Sequence, residues 1–224
     1  MNLFIITGTT KGLGKSFLDF LTSDEHLIIT INRQEIGYKQ NNIYSLCMDL
    51  SIIDLDKIND FEALFSRLLT KNIKKVIFIN NAFSMGTLAK IDELENTEIL
   101  KIFNVNIVSS VLLIKSFIHQ TRYLSIDKRI LNISSGAARK AIDGWSTYCM
   151  SKSSLEMLIE GIKIEYSSYK CFNIDPGAMD TQMQSQIRDF KKGTDNQYFL
   201  ELFRNKKLKS TNEVVSNINE MYIL

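Results

Sequence analysis

A tyrosine and a lysine four positions apart, Tyr148 and Lys152, are the residues most suggestive of chemistry in this sequence. They fall in a segment of helical periodicity, so both side chains project from one face and the ammonium can approach the phenol. An adjacent cation favours phenolate, and we therefore expect the pKa of Tyr148 to lie below its usual value of about 10. Such a tyrosine is suited to general acid–base chemistry.

A serine, Ser135, comes before this pair and directly after an apolar run that predicts a buried strand. Open α/β sheets bind ligands at the carboxyl ends of their strands, where a serine hydroxyl can hold a carbonyl oxygen. A tyrosine and lysine pair alone is usually an ordinary surface or core-edge pair. The order of strand, serine, tyrosine and lysine favours a catalytic site.

A glycine-rich turn with Gly8, Gly12 and Gly14 lies between the first predicted strand and the first predicted helix. Glycines let the backbone approach a pyrophosphate, and a helix N-terminus offers unpaired N–H groups to it. The spacing is GxxxGxG rather than GxGxxG, and a lone glycine turn is weak evidence. Its position at the start of a βαβ chain predicts a dinucleotide site.

The end of the second predicted strand discriminates between the two nicotinamide dinucleotides. Arg33 stands there and Lys11 lies in the glycine turn, so two cations can meet a 2′-phosphate, and NADP(H) is favoured over NAD(H). Glu35 is the alternative, since it would hold the ribose of NAD if the strand ended later. Asp49 is placed to accept a hydrogen bond from adenine, or else to cap a turn.

The elements that must position these residues follow a β–α alternation, which predicts a parallel sheet covered on both faces. Pro176 ends the sixth predicted strand because it has no N–H to donate. With no repeat or linker visible, residues 1–224 are expected to form a single domain. The predicted strands are 3–7, 27–32, 43–47, 76–80, 130–134 and 171–174, and the predicted helices are 14–21, 55–69, 99–119 and 151–166.

The composition excludes several classes of protein. The chain has 224 residues, 45% of them hydrophobic, and 27 basic against 25 acidic side chains, so no nucleic-acid or membrane partner is expected. Its most apolar later stretch, 107–114, is far shorter than the roughly 20 residues of a membrane span. Cys47, Cys149 and Cys171 form no CxxC pair, so we expect neither disulfides nor a metal site, and a cytoplasmic location.

The segment 177–210 is basic and weakly patterned. Its first interpretation is a solvated face, and its second is a helical lid at about 178–210 whose cations meet an anionic substrate or a phosphate. The basic residues are Arg188, Lys191, Lys192, Arg204, Lys206, Lys207 and Lys209.

The sequence resembles the short-chain dehydrogenase/reductases over nearly its whole length. This resemblance implies a doubly wound parallel sheet of the Rossmann type, and NAD(P)-linked reduction of a carbonyl or oxidation of an alcohol. The matching residues, in the family's order, are Thr7, Gly8, Gly12, Gly14, Asn80, Asn81, Ala82, Asn106, Ser135, Tyr148, Lys152, Pro176 and Gly177.

The resemblance also implies roles for these side chains. Tyr148 is the proton donor, Ser135 orients the carbonyl, Lys152 binds the nicotinamide ribose and lowers the tyrosine pKa, and Asn106 completes a proton relay through water. The implied cofactor site comprises Gly8, Thr10, Lys11, Gly12, Leu13, Gly14, Arg33, Asp49, Leu50, Asn81, Ala82, Tyr148, Lys152, Pro176, Gly177 and Thr181.

Within the family, residues 132–138, 144–149 and 176–183 resemble the sepiapterin reductases and bacterial benzil reductases. The implied substrates are vicinal dicarbonyls or pterin side-chain ketones. Trp145, Met179 and Met183 would line an aromatic-friendly pocket with Ser135 and Tyr148. The alternative is that the methionines are core residues of the lid helix.

Two features depart from the family pattern. Phe83 follows Ala82 where glycine is usual, and the short stretch after Pro176 predicts a sheet without a full seventh strand. Family members pair through their fourth and fifth helices, here about 99–119 and 151–166, so we expect a homodimer, with a homotetramer as the alternative.

The leading hypothesis is an NADPH-dependent carbonyl reductase acting on a small molecule. Three alternatives stay open. A non-catalytic NADP-binding sensor or partner protein would explain Phe83, and a 3-oxoacyl-thioester reductase would use the basic segment to meet an acidic carrier. A nucleotide-sugar epimerase or dehydratase also uses a tyrosine and lysine pair, but the chain length and the glycine spacing argue against it.

Overall fold

Six parallel strands form one sheet in the order β3-β2-β1-β4-β5-β6. The computed structural model describes residues 1–22, 25–35, 37, 40–189 and 196–224. Each predicted strand is present within three residues of its expected bounds, although Ser134 lies just beyond β5. The strands are β1 (Asn2–Thr7), β2 (His26–Asn32), β3 (Ile43–Cys47), β4 (Lys75–Asn80), β5 (Asp127–Ile133) and β6 (Tyr169–Ile174).

Helices connect and cover these strands. The fourth predicted helix starts five residues too late, because Gly144 at φ 74° closes the preceding turn and the mixed residues after it mask the helical period. Tyr148 therefore lies in the first turn of α5. The helices are α1 (Gly12–Leu21), α2 (Leu55–Leu69), α3 (Asn96–Phe103), α4 (Ser109–Thr121), α5 (Ser146–Glu165), α6 (Gln182–Asp189), α7 (Asn196–Arg204) and α8 (Thr211–Ile218).

Alternate residues of each strand enter two separate cores. Leu3 and Ile5 of β1 pack with α2, α4 and α5 on one face of the sheet. Phe4 and Ile6 pack with α1 and α8 on the other face. Successive strand side chains point to opposite faces, so strands buried on both sides read as continuous apolar runs. The doubly wound parallel architecture is confirmed.

The helical run Asn96–Thr121 joins α3 and α4 through a π-helical turn, Asn104–Val108. By length and composition alone it is long and apolar enough to cross a membrane. In the fold its inner face belongs to the core, where the Phe117 ring lies 5.8 Å from that of Phe65 and 5.6 Å from that of Phe78. The apolar side chains on its inner face therefore cover the sheet.

After β6, the described residues add no seventh strand to the sheet. The chain instead forms α6 and α7, which lie within the predicted lid, and then α8, which packs against α1 through the second core. Of the predicted lid, residues 190–195 lie outside the described part, and with them Lys191 and Lys192. A π-helical turn follows at Asn219–Ile223. It is held against β5 because Arg129 Nη1 donates to the Tyr222 carbonyl at 2.7 Å.

Two glycines allow α1 to begin directly against the sheet. Gly8 has φ +72°, and a Cβ on it would lie 2.9 Å from the Cα of Ala82. A Cβ on Gly14 would lie 2.0 Å from the Gly8 carbonyl oxygen and 2.4 Å from Asn81 Nδ2. Both contacts are too short for any side chain, so the turn requires glycine at these positions.

A matched pair of helical glycines tests this packing. Gly14→Ala forces a methyl group into the turn and should lower the free energy of unfolding by about 1–3 kcal/mol. Gly161→Ala, in α5, adds a methyl group with no atom within 4 Å apart from its chain neighbours and the backbone of its own helix, and should raise the free energy of unfolding by about 0.5–1 kcal/mol. Urea unfolding of both variants measures the difference. Equal effects of the two changes would contradict the close packing at Gly14.

Candidate active site

A cleft of about 1370 Å³ opens at the carboxyl edge of the sheet. It includes the ends of β1 and β4, where the strand order reverses, which is the usual ligand position in such sheets. The predicted residues that line it are Gly8, Thr10, Lys11, Gly12, Leu13, Gly14, Arg33, Asp49, Leu50, Asn81, Ala82, Tyr148, Lys152, Met179, Thr181 and Met183. Those outside its lining are Asn106, Ser135, Trp145, Pro176 and Gly177.

Hydrogen bonds join the glycine turn to the segment that follows β4. Thr7 Oγ1 accepts from the backbone N–H groups of Asn81 and Ala82, both at 2.9 Å. Asn81 Nδ2 in return donates to the carbonyl oxygens of Thr7 at 2.9 Å and Gly8 at 3.0 Å. The Asn81 side chain thus holds in place the turn of Gly8, Gly12 and Gly14, which we call the glycine cradle.

This cradle fits the pyrophosphate of a dinucleotide. Side chains are excluded at Gly8 and Gly14, and α1 presents its N-terminus to the same space. The start of α6 lies across from it, since Lys11 Nζ donates to Gln182 Oε1 at 2.5 Å. Thr181 Cγ2 would lie 3.8 Å from a Cβ on Gly12.

The cleft continues toward Arg33 and Asp49, where an adenosine would lie. β2 ends at Asn32, so Arg33 follows the strand immediately, whereas Glu35 is exposed and lies outside the cleft lining. Burial raises the pKa of Asp49, but hydrogen bonds from Ser51 and the Arg33 charge bring it below its ordinary value. Asp49 Oδ1 accepts from Ser51 N at 2.9 Å and from Ser51 Oγ at 2.8 Å. Asp49 therefore caps a turn, as its alternative interpretation from the sequence expects.

The Ser135 side chain lies beside the Tyr148 phenol, where hydrogen bonding between the two acts to lower the pKa of Tyr148. Ser135 reaches it from the loop after β5, where its Oγ also accepts from Ala137 N at 3.2 Å. Burial raises the pKa of Tyr148 to about 12, and the bond to Ser135 only partly opposes this. The expectation of a lowered tyrosine pKa is therefore wrong, because desolvation of the phenolate dominates.

Lys152 lies one helical turn beyond Tyr148 and is only 4% exposed. Its Nζ donates to the Ile133 carbonyl at 2.6 Å and lies 3.7 Å from the centroid of the Phe83 ring. Burial lowers the pKa of Lys152 to about 7, although the charges of Asp175 and Glu156 oppose the shift. The same desolvation that keeps Tyr148 neutral thus weakens the charge of its neighbour.

Asn106 is fully buried behind the cleft, in the π-helical turn. Its Oδ1 accepts from Ser84 N at 2.9 Å, and its Nδ2 donates to Ser84 O at 2.8 Å and Ser151 Oγ at 3.1 Å. Ser151 Oγ in turn donates to the Tyr148 carbonyl at 2.8 Å. Asn106 therefore fixes the turn of α5 that carries Tyr148, and its role in a proton relay stays a prediction.

An apolar cluster surrounds the Tyr148 ring. The Trp145 ring lies 5.7 Å from the Tyr148 ring, at 88° to it, and Met183 packs against the cluster. Met179 lies before α6, packs against the second core and also lines the cleft, so it fits neither the pocket prediction alone nor a core position in the lid helix. Sequence reasoning missed Met85 and Ile187, which come together here from the loop after β4 and from α6. The buried members are Met85, Ala137, Trp145, Tyr148 and Ile187.

An ion-pair network that the sequence reasoning also missed lies behind Lys152. Arg139 bridges Glu156 at 2.5 Å and Asp175 at 3.0 Å. Glu156 follows Lys152 by four residues in α5, a spacing that could have indicated the contact. Asp175 Oδ1 also accepts from Gly177 N at 3.0 Å. The predicted cofactor residues Pro176 and Gly177 therefore lie in a turn that Asp175 of this network stabilises.

Known proteins share both the sequence pattern and the fold. Benzil reductase ((S)-benzoin forming) from Bacillus cereus is 29% identical, over 99% of this chain and 94% of its own. Sepiapterin reductase from Bos taurus is 24% identical, over 84% of this chain and 76% of its own. The crystal structure of the KRED1-Pglu enzyme superposes with a TM-score of 0.85 at 22% identity, covering 100% of this chain and 95% of that one.

The family profile described as short chain dehydrogenase matches residues 2–192, which is most of the chain. This match covers the glycine turn, the segment after β4, Ser135, Tyr148 and Lys152. The chain therefore belongs to the short-chain dehydrogenase family, whose members use nicotinamide cofactors, and it is an oxidoreductase that acts on carbonyl or hydroxyl groups.

Proposed function

We propose that the protein is an NADPH-dependent carbonyl reductase that reduces a ketone of a small dicarbonyl or pterin-like substrate. The observation that carries this proposal is that Tyr148 and Lys152 line the same cleft as the glycine cradle, with Ser135 beside Tyr148. An acid, a hydroxyl that can hold a carbonyl and a dinucleotide cradle are thereby brought together.

The residues can act as follows. A pKa of about 12 keeps Tyr148 protonated at neutral pH, so its hydroxyl donates the proton to the substrate oxygen. Ser135 holds that oxygen through its own hydroxyl, and Lys152 stabilises the phenolate as the proton leaves. Asn106 keeps this turn of α5 in position. The bound nicotinamide supplies the hydride.

NADP(H) is the proposed cofactor rather than NAD(H). Arg33 and Lys11 both line the cleft, so their charges can meet a 2′-phosphate, and the guanidinium can do so through two parallel bonds. The proposed pyrophosphate position is the cradle of Gly8, Gly12 and Gly14. Lys152 would hold the ribose hydroxyls next to the nicotinamide.

The proposed substrate class has support from the relatives and from the apolar cluster. The relatives' names specify benzil and sepiapterin, which are ring-bearing carbonyl compounds. Around Tyr148, the rings of Trp145 and Phe83 and the thioether of Met85 form apolar surroundings that suit a flat ring. A non-catalytic NADP-binding protein is the alternative that turnover measurements distinguish.

We also propose that the protein is a homodimer in the cytoplasm. Apolar side chains project outward from α5, where Met157 is 72% and Ile164 is 86% exposed, as pairing through this helix would require. Sedimentation velocity tests the dimer, and the monomer mass of 25.7 kDa would contradict it. Three unpaired cysteines support a reducing compartment.

The proposed function predicts NADPH oxidation in the presence of benzil or sepiapterin, with NADH giving lower kcat/KM. Tyr148→Phe should lower kcat by about 10²–10⁴-fold, because the donor proton is lost, and should leave NADPH binding nearly intact. Absorbance at the nicotinamide band measures turnover, and calorimetry measures binding. Full activity of the variant would contradict Tyr148 as the donor. NADPH binding without turnover on any ketone would favour the binding-only alternative.

The buried ammonium of Lys152 predicts a pH-dependent stability. In the folded chain its pKa is about 7, and in the unfolded chain it is about 10.4, so the unfolded state binds more protons between these values. The free energy of unfolding should therefore rise from pH 7 to pH 9, by up to about 1.4 kcal/mol per pH unit from this group. Tyr148, raised to about 12, stays neutral throughout this window.

Urea unfolding at pH 7, 8 and 9, compared with the Lys152→Met variant, isolates this contribution. The variant keeps a long apolar side chain but has no titrating group, so its stability should rise less with pH. The same pH dependence in both proteins would show that Lys152 is not desolvated in the fold.

A further inference from the structure

Phe83 contacts both members of the proposed tyrosine and lysine pair. Its ring lies edge-on to that of Tyr148, with 4.9 Å between centroids and 84° between planes. The face of the same ring lies 3.7 Å from Lys152 Nζ. Phe83 is half-buried, and both Phe83 and Lys152 line the cleft.

The ring takes the place of a polar partner for Lys152. An ammonium has three donors, of which one is used on the Ile133 carbonyl at 2.6 Å. The nearest carboxylates, Glu156 and Asp175, are engaged by Arg139 and act on Lys152 only through their charge. An aromatic face attracts a cation most strongly where water is excluded, as it is here.

The backbone on both sides of Phe83 is fixed. Ala82 N donates to Thr7 Oγ1 at 2.9 Å. Ser84 is held by Asn106, which accepts from its N–H at 2.9 Å and donates to its carbonyl at 2.8 Å. Movement of the ring therefore requires rotation of the Phe83 side chain, with the loop remaining in place.

We propose that Phe83 is a gate for the nicotinamide end of the cofactor, because its ring competes with the ribose hydroxyls for Lys152. The proposal rests on the proposed binding of NADP(H) and on Lys152 as the ribose partner. An aromatic face and a pair of hydroxyl groups cannot occupy the same side of one ammonium. The ring must rotate away before Lys152 can hold the ribose, and this lowers the affinity for the intact cofactor.

The gate acts on only one half of the dinucleotide, which provides an internal control. Adenosine 2′,5′-bisphosphate carries the adenosine and the 2′-phosphate that would meet Arg33, but it has no nicotinamide ribose. Its binding should not depend on Phe83. The ratio of its dissociation constant to that of NADPH therefore reports the contact with Lys152 separately from the folding of the protein.

Calorimetric titration of the full chain with both ligands at pH 6, where Lys152 is charged, tests the gate. Phe83→Ala should tighten NADPH binding by about two- to thirtyfold, the range expected when a competing cation–π contact is lost, and should leave bisphosphate binding unchanged. Phe83→Tyr keeps the aromatic face and should retain the wild-type ratio.

An unchanged or weaker NADPH affinity in Phe83→Ala, with bisphosphate binding intact, would overturn the gate and leave the proposed function standing. A ratio that rises equally in Phe83→Tyr would also overturn it, because the aromatic face would then be irrelevant. Failure of wild-type protein to bind either ligand would overturn the NADP(H) proposal itself, and the gate with it.

Discussion

The exchange of hydrogen bonds between Thr7 and Asn81 holds together the two halves of this fold where the site lies. β1 and β4 are neighbours in the sheet but are separated by most of the first half of the chain, and the strand order reverses between them. Because the side chain of each residue bonds the backbone of the other segment, the glycine turn is fixed against the segment that carries Phe83. The cradle, the cleft and the access to Lys152 all depend on that junction.

Desolvation sets the chemistry on the other side of the cleft. It makes Tyr148 a weak acid that is fully protonated at neutral pH, and it makes Lys152 a weak base. The apolar cluster around Trp145 and Met85 surrounds Tyr148, where the Asp175 charge raises the pKa further, whereas the charges of Glu156 and Asp175 oppose the shift at Lys152. An uncharged acid beside a buried ammonium is suited to protonating a substrate oxygen in the reduction direction.

Local sequence was sufficient to predict the strands, because residues buried on both faces of a parallel sheet form continuous apolar runs. It also predicted the cleft residues Gly8, Arg33 and Lys152 from strand ends and spacing. The pKa of Tyr148 is raised where the sequence predicted that it is lowered, because the apolar side chains around Tyr148 come in part from segments distant in sequence. The π-helical turn that orients Asn106 and the position of the Phe83 ring on Lys152 are likewise tertiary effects.

Isotope transfer from the cofactor to the ketone tests the proposed reaction most directly. The protein would be given NADPH that carries deuterium at one or the other face of nicotinamide C4, with benzil as substrate, and the benzoin would be analysed by mass spectrometry. A direct hydride transfer beside Tyr148 predicts one deuterium on the carbinol carbon from only one of the two labelled cofactors. Benzoin without deuterium from either cofactor, or no benzoin although NADPH is bound, would contradict it.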